Sequence, residues 1–300
     1  MILPPPLQPG DAVGMVAPSR LIKPDQVEQA LATFNLWGLE VRRGSSLFGT
    51  YGYFAGTDEN RLNDLQNFIN DPEIKCIFCA RGGYGVTRIL DQLNLKPLLE
   101  TPKWIVGFSD ITALHLALGN LEISSIHGLM PVQFGYFGAE SSIESLRKLL
   151  FDRVGEVIAP YHSMNRLGKV NAPVVGVILS LFVDSIGTKI DIQTRGKILF
   201  LEEIDEYLYK IDRMLIQLKR AGKLDLLAGL MIGDFTQTKD TQIPFGQNLE
   251  QIILAKVSQY DYPLAFSFPV GHEIPNHSIL MMKEITLQVE YGHSRIFFSF

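Results

Sequence analysis

The sequence predicts an α/β protein: an N-terminal parallel-sheet α/β domain followed by a smaller, β-rich α/β C-terminal domain. Three observations lead there. Short β-branched runs alternate with amphipathic helical stretches through the first half, the pattern of parallel strands joined by right-handed crossovers. A segment from about Val154 to Pro173, containing Pro160, Gly168 and Pro173, breaks the alternation and reads as a linker. Beyond it the apolar runs become mostly strand-like. The domains are therefore expected over residues 1–155 and 170–300. At 300 residues, 46% hydrophobic and 20% charged, the chain has a globular composition, which excludes disordered, collagen-like and coiled-coil classes.

Each element has its own signal. Ala12 to Pro18 (AVGMVAP) is a strand, and a helix opens near Pro24 and Asp25 and closes before Gly38, with Val27, Ala30, Leu31 and Phe34 apolar. An extended piece starts at Val41. In TDENRLNDLQNFINDP, Thr57 or Asp58 caps a helix, Leu62, Leu65 and Phe68 form its apolar face, and Asp71-Pro72 stops it. The strand IKCIFCA follows, then RGGYG (Arg81 to Gly85), a helix to about Gln92, the strand Trp104 to Phe108, a helix from Ile111 to Leu118, the strand SSIHG and a helix from Ser142 to Phe151. The second half holds a strand ending at Glu202 (KILFLE), a helix around Tyr207 to Arg220, the strand LAGLMIGDF and a helix around Leu249 to Val257. It closes with the β-rich segments PLAFSFPVG, EITLQVEYG and RIFFSF.

Charge and length exclude several functions. With 32 acidic against 27 basic residues, a net charge of −5 and no basic stripe, nucleic acid is not an expected partner. The longest apolar run, Val174 to Val183, falls short of the roughly 18 residues of a membrane span. The proline-broken N-terminus lacks a basic leader, so no secretory signal is expected and a cytoplasmic location is predicted. Cys76 and Cys79 have C-x-x-C spacing, but in a strand they point to opposite faces and read as two small core residues.

In α/β sheets ligands bind beyond the carboxyl ends of the strands, which directs attention to the turns there. Ser109, in VGFSDITALHLAL, lies where a buried strand gives way to a helix. That position resembles a nucleophile elbow without the second glycine of G-x-S-x-G, or else the N-cap of the next helix. The adjacent glycines of RGGYG can turn backbone N–H groups toward an oxyanion or carboxylate; a plain tight turn fits as well, while a phosphate loop is disfavoured because no G-K-[ST] follows. A reactive serine needs a base. His272, opening a turn-rich loop in FPVGHEIPN, is a candidate, with His127 and His277 as rivals; His115 reads as a packing or surface residue. Glu202 ends its strand at the carboxyl edge, whereas Glu203, Asp205 and Glu206 crowd the same turn and suit the start of the next helix. The histidines lack H-x-x-x-H spacing, so no metal is expected.

The segments GDAVGMVAPS, YFAGTDENRLNDL, CARGGYGVTRIL, PKWIVGFSDITALHLAL, ILFLEEIDEYLYKIDRML, GLMIGDF and GHEIPN, in this order, resemble the LD-carboxypeptidase family of serine peptidases, which also includes microcin-immunity peptidases. The resemblance covers nearly the whole chain. It implies a Ser-Glu-His triad of Ser109, Glu202 and His272, an oxyanion hole from the amides of Gly83 and Asp110, no cofactor, and usually a homodimer. The implied substrate is a muropeptide, a murein tetrapeptide that loses its terminal D-alanine at an L,D-amide bond in cytoplasmic cell-wall recycling. Alternatives are a microcin-immunity peptidase acting on a peptidyl-nucleotide, and an inactive ligand-binding module. Arg81 is expected to hold a substrate carboxylate or, equally, to form an ordinary ion pair. The chain departs from the family pattern at Val177 and Ile178, where glycine and asparagine are usual. It departs again at Glu273, where glycine follows the histidine, and around Leu280 to Met282, where P-x-G is usual.

Overall fold

A computed structural model describes residues 1–298 and contains two sheets. In chain order the first half gives β1 (Ala12–Val16), α1 (Glu28–Leu36), β2 (Glu40–Arg43), α2 (Asp58–Asn70), β3 (Ile74–Cys79), α3 (Val86–Leu90), α4 (Pro97–Glu100), β4 (Trp104–Gly107), α5 (Thr112–Asn120), β5 (Ser125–His127) and α6 (Glu140–Arg147). The second half gives β6 (Gly155–Pro160), β7 (Gly168–Ile178), α7 (Leu179–Asp184), β8 (Ile198–Ile204), α8 (Leu208–Arg220), β9 (Gly229–Thr236), α9 (Leu249–Val257), β10 (Leu264–Ala265), β11 (Ile279–Met281), β12 (Glu284–Val289) and β13 (His293–Phe298). The protein is α/β, as its alternating pattern predicts.

The first sheet runs β11-β5-β4-β3-β1-β2, with β1 to β5 all parallel. Its remaining edge is β11, which comes back from late in the chain to pair antiparallel with β5. The second sheet runs β10-β9-β8-β7-β12-β13-β6 and is parallel over its first four strands and antiparallel over the rest. Alternation along β8 divides the interior. Ile198 and Phe200 face the large core shared with the first sheet, where Phe34, Phe78 and Trp104 are buried. Leu199 and Leu201 face a second core closed by Ile211 and Leu215 of α8 and Ile252 and Ile253 of α9. Each such side chain stabilises the fold by roughly 1.5–3 kcal/mol on burial. Among the described residues no helix is long and apolar enough to cross a membrane.

Several local readings need correction. The segment read as a linker is largely strand, since it contains β6 and the first half of β7. Its partners, β12 and β13, lie more than a hundred residues downstream, so its pairing leaves no local signature, and Pro160 and Pro173 are accommodated in the strands. Helix α2 is capped by Thr57, but its most buried positions are Arg61, Asp64, Leu65 and Ile69; Leu62 and Phe68 are only partly covered. Arg61 turns inward because the carbonyls of Pro18 and Gly85 and the carboxylate of Asp58 receive its guanidinium. Of PLAFSFPVG only Leu264–Ala265 is strand, and Ser267 takes a left-handed φ of 64° soon after. Cys76 and Cys79 are free and buried in β3.

Candidate active site

The carboxyl ends of β1, β3, β4 and β8 converge on one cavity of about 590 Å³. From the first sheet come Arg20 after β1, Arg81, Gly82 and Gly83 after β3, and Ser109 after β4; from the second come Ile178, Glu203 to Glu206 and His272. Two elements of sequence are thus brought together across more than 160 positions.

Ser109 is the first residue of a 3-10 turn, Ser109–Ile111, and has a left-handed φ of 60°. A non-glycine residue there is uncommon, and such strain is typical of a side chain held out at a functional turn. The capping alternative fails: Phe108 and Ile111 occupy the N-cap positions of the turn and of α5, and no side chain caps either. Gly82 is the reason the serine fits. A Cβ at Gly82 would stand 3.0 Å from Ser109 Cβ, 3.2 Å from its Oγ and 3.4 Å from the Asp110 nitrogen, so only a bare Cα leaves room beside the hydroxyl. Gly83 has φ +112°, and a Cβ there would meet Tyr53 Oη and Arg20.

The Asp110 side chain works behind the turn. It is buried and accepts hydrogen bonds from Ser19 Oγ at 2.5 Å and from the Val86 N–H at 2.9 Å, tying the turns after β1, β3 and β4 into one unit. Burial raises its pKa while these bonds oppose the rise.

His272 Nδ1 lies 2.8 Å from Glu202 Oε2. Burial acts to lower the His272 pKa, but the bond to Glu202 and the charges of Glu202, Glu203 and Asp234 outweigh it, and the net direction is upward. Glu202 sits where the β8–β9 register shifts, between Leu201 and Glu203. Its neighbours have other duties. Glu203 accepts the N–H groups of Ser180 and Ile204, and burial raises its pKa to about 7. Asp205 pairs with Lys239, and Glu206 with Lys210. Ser109 Oγ and His272 face the same cavity without a hydrogen bond between them among the described residues.

The other histidines separate cleanly. His115 is fully buried rather than superficial, bonding Ser125 Oγ at 2.7 Å and the Gly107 carbonyl at 2.9 Å. His127 is sealed from solvent, and His277 borders a different cavity beside Ser141 and Glu144. Arg81 makes only a 3.5 Å contact to the Leu21 carbonyl, so no ion pair holds it among the described residues. Sequence reading missed Arg20, whose guanidinium lies over the Tyr53 ring at 5.2 Å and likewise has no ion-pair partner among the described residues. A second arginine in the turn after the first strand was the available signal. No group of three or more His, Cys, Asp or Glu among the described residues is placed to hold a metal ion.

This arrangement has relatives. Residues 13–128 match the LD-carboxypeptidase N-terminal domain, and residues 171–287 the LD-carboxypeptidase C-terminal domain. The chain belongs to the LD-carboxypeptidase family. It is 35% identical over 279 residues to a probable murein peptide carboxypeptidase of Bacillus subtilis, covering 91% of this chain and 87% of the relative. It is 28% identical over 282 residues to a murein tetrapeptide carboxypeptidase of Pseudomonas aeruginosa, covering 90% and 91%. Among solved structures, a muramoyltetrapeptide carboxypeptidase from Oxalobacter formigenes superposes with a TM-score of 0.87 at 23% identity over 96% of this chain and 99% of that one. A microcin self immunity protein bound to adenosine monophosphate gives a TM-score of 0.87 at 20% identity over 99% and 98%. These two share the fold.

Val177 and Met282, two of the positions where the resemblance leads one to expect glycine, have a glycine-like backbone, with φ of 136° and 61°. For the β-branched Val177 this is a marked outlier. Met282 is held by its N–H to the Val174 carbonyl at 2.8 Å. Ile178 gives the cavity an apolar edge, and Glu273 is exposed and donates its N–H to Asp234.

Proposed function

We infer that this LD-carboxypeptidase family member is a serine-type hydrolase that cleaves an L,D-amide bond and releases terminal D-alanine from muropeptides. The observation that carries the reading is the shared cavity: Ser109 and His272 open onto it from opposite sheets, with Glu202 bonded behind the imidazole. In this reading Ser109 Oγ attacks the scissile carbonyl and gives its proton to His272 Nε2. Glu202 fixes the ring through Nδ1 and stabilises its cation. The Gly83 and Asp110 amides receive the oxyanion. His272 then protonates the leaving D-alanine amine, and water, activated by the same imidazole, hydrolyses the acyl-serine. The open Ser109–His272 contact is consistent with this, because such bonds often tighten only when substrate is bound.

The walls of the cavity suit the substrate. Arg20 and Arg81, unpaired by protein carboxylates among the described residues, suit the free carboxylate of a peptide end. On the other wall Glu203, Asp205 and Glu206 are already engaged by Ser180 and Ile204 N–H groups, Lys239 and Lys210, so what they offer the ammonium of a diamino acid is an acidic surface rather than a free partner. A murein tetrapeptide carries both charges, and relatives named as murein peptide and murein tetrapeptide carboxypeptidases support the same choice.

The test is D-alanine release from a murein tetrapeptide by wild type and by Ser109→Ala. Release by the wild type alone is expected; equal release by both removes the serine mechanism. A second reading, cleavage of a peptidyl-nucleotide, draws on Tyr53 and Tyr136, which line the cavity with about half of their surface free to stack a base. Faster turnover of such a conjugate than of tetrapeptide would favour it.

A further inference from the structure

The turns that carry the proposed oxyanion donors are held from behind by a buried arginine for which the reaction above has no use. Arg61 shares one face of α2 with Leu65 and Ile69, at the spacing of a core stripe, and its side chain has no exposure. A leucine would fill such a position. Burying a guanidinium there is costly unless hydrogen bonds offset the lost water. The bonds are present: Nη1 donates to the carbonyl of Pro18 and, at 3.0 Å, to that of Gly85, and Nη2 donates to Asp58 at the start of the same helix. The Phe54 ring covers the guanidinium at 4.8 Å.

What these bonds hold is specific. The Gly85 carbonyl and the Val86 N–H belong to one peptide unit. Arg61 bonds its oxygen, and the buried Asp110 carboxylate, next along the chain from Ser109, accepts its N–H at 2.9 Å. The turn after β1 is held by the same two residues, since Arg61 bonds the Pro18 carbonyl while Ser19 Oγ donates to the same Asp110 oxygen at 2.5 Å. Gly85, with φ +147°, lets the groups approach: a Cβ there would stand 2.7 Å from Arg61 Nη1 and 3.2 Å from Ser19 Cα. At the other end of the loop the Gly82 carbonyl accepts the Arg20 N–H at 3.4 Å. Gly83 lies between these two anchors.

We propose that Arg61 is a positioning residue for the oxyanion hole: through the peptide unit that it and the Asp110 carboxylate grip from opposite ends, it fixes the Gly83 amide relative to the Asp110 amide. The role rests on the peptidase reading given above. Oxyanion donors act by being in place before charge develops, within about 2.7–3.1 Å of where the oxygen will sit. The Gly83 amide belongs to a loop with two positive-φ glycines, which has no preferred course of its own. An anchor on Gly85 supplies one. Because that anchor also binds Asp110, the two donors move together or not at all.

The test compares Arg61→Met, which keeps a buried stem and removes the guanidinium, with Arg61→Lys, which keeps the charge but offers one ammonium to two carbonyls and a carboxylate. Turnover of tetrapeptide is measured together with two affinities. One is for a peptidyl boronic acid, whose tetrahedral adduct with Ser109 puts an oxygen in the oxyanion hole; the other is for the tripeptide product, whose planar carboxylate forms no such adduct. For Arg61→Met, kcat is expected to fall about 10–100-fold with KM within about twofold. Boronate affinity should fall by a similar factor while tripeptide affinity stays within about twofold, and Arg61→Lys should recover part of kcat and of boronate affinity together. Wild-type kcat in both variants, or tripeptide affinity lost in step with boronate affinity, overturns the proposal in favour of a merely structural arginine. Should the methionine variant not fold, Arg61→Lys against wild type makes the same comparison. Failure of the peptidase reading looks different: the wild type itself would neither turn over tetrapeptide nor bind the boronate.

Discussion

His272 Nδ1 and Glu202 Oε2 are 2.8 Å apart across 70 positions of sequence, and the carboxylate has no exposure while the imidazole side chain keeps 14%. A carboxylate without water must be stabilised by its protein partners. The imidazole is that partner, and the bond leaves Nε2 for the cavity.

Glu202→Gln is therefore expected to lower turnover by on the order of 10³ to 10⁴, because the amide cannot hold the same tautomer or stabilise the cation. Glu206→Gln, whose carboxylate pairs with Lys210, should cost little by comparison. Kinetics of the two variants on tetrapeptide decide the matter; a larger loss at Glu206 would reverse the assignment.

The proposed base must be neutral to act, and the surrounding carboxylates hold its pKa above the ordinary 6.5. The acid limb of kcat/KM should accordingly have its midpoint above pH 6.5. Burial raises Asp234 to about 6, so it is largely ionised at neutral pH. Asp234→Asn removes one negative neighbour, lowers the His272 pKa and moves the limb to lower pH. A limb that stays in place in this variant would show that Asp234 does not act on the imidazole.

Glu203 offers a stability test. Its folded pKa of about 7 lies above the ordinary 4.5, so its favourable contribution is complete below pH 4.5 and is lost as pH rises through 7. At pH 8 the buried anion costs the fold about 3 kcal/mol. Glu203→Gln should unfold at a higher temperature than wild type at pH 8, with the advantage vanishing near pH 5, by calorimetry at the two values. An equal gain at both would mean that charge is not the cause.

Gly82→Ala tests the space beside the nucleophile. Its methyl would press on Ser109 at 3.0 to 3.2 Å, tighter than ordinary van der Waals contact. A displacement of a few tenths of an ångström at a reacting atom is expected to lower kcat by roughly 10- to 100-fold with the fold retained. Circular dichroism and turnover together check this, and wild-type turnover would show that the hydroxyl has slack.

The first sheet was legible in the sequence because parallel strands joined by helices carry local marks: apolar runs, caps, and Asp71-Pro72 as a stop. Ser109 stood out for the same reason, at a strand-to-helix turn after Gly107. What escaped was set by distant parts of the chain. Strand β6 and the first half of β7 read as linker since their partners come after residue 283. Arg61 and Asp64 defied the apolar face of α2, since the first receives loop carbonyls and the second accepts the N–H groups of Ser45 and Ser46. Residue reading alone could not choose His272 over His127 and His277; the family resemblance made that choice, and the bond to Glu202 sets His272 apart in the structure.

The late return of Ile279–Met281 to the first sheet has a practical consequence. Leu280 lies directly opposite Ile126 and supplies the last pairing on that side of the sheet. A truncated polypeptide ending near residue 155 would keep every parallel strand of the first sheet yet bare an apolar β5 border with unanswered amides and carbonyls. Such borders recruit strands from other molecules. The returning segment thus acts as an internal guard against clumping, and a shortened polypeptide made for expression should retain it even when only the serine-bearing half is wanted.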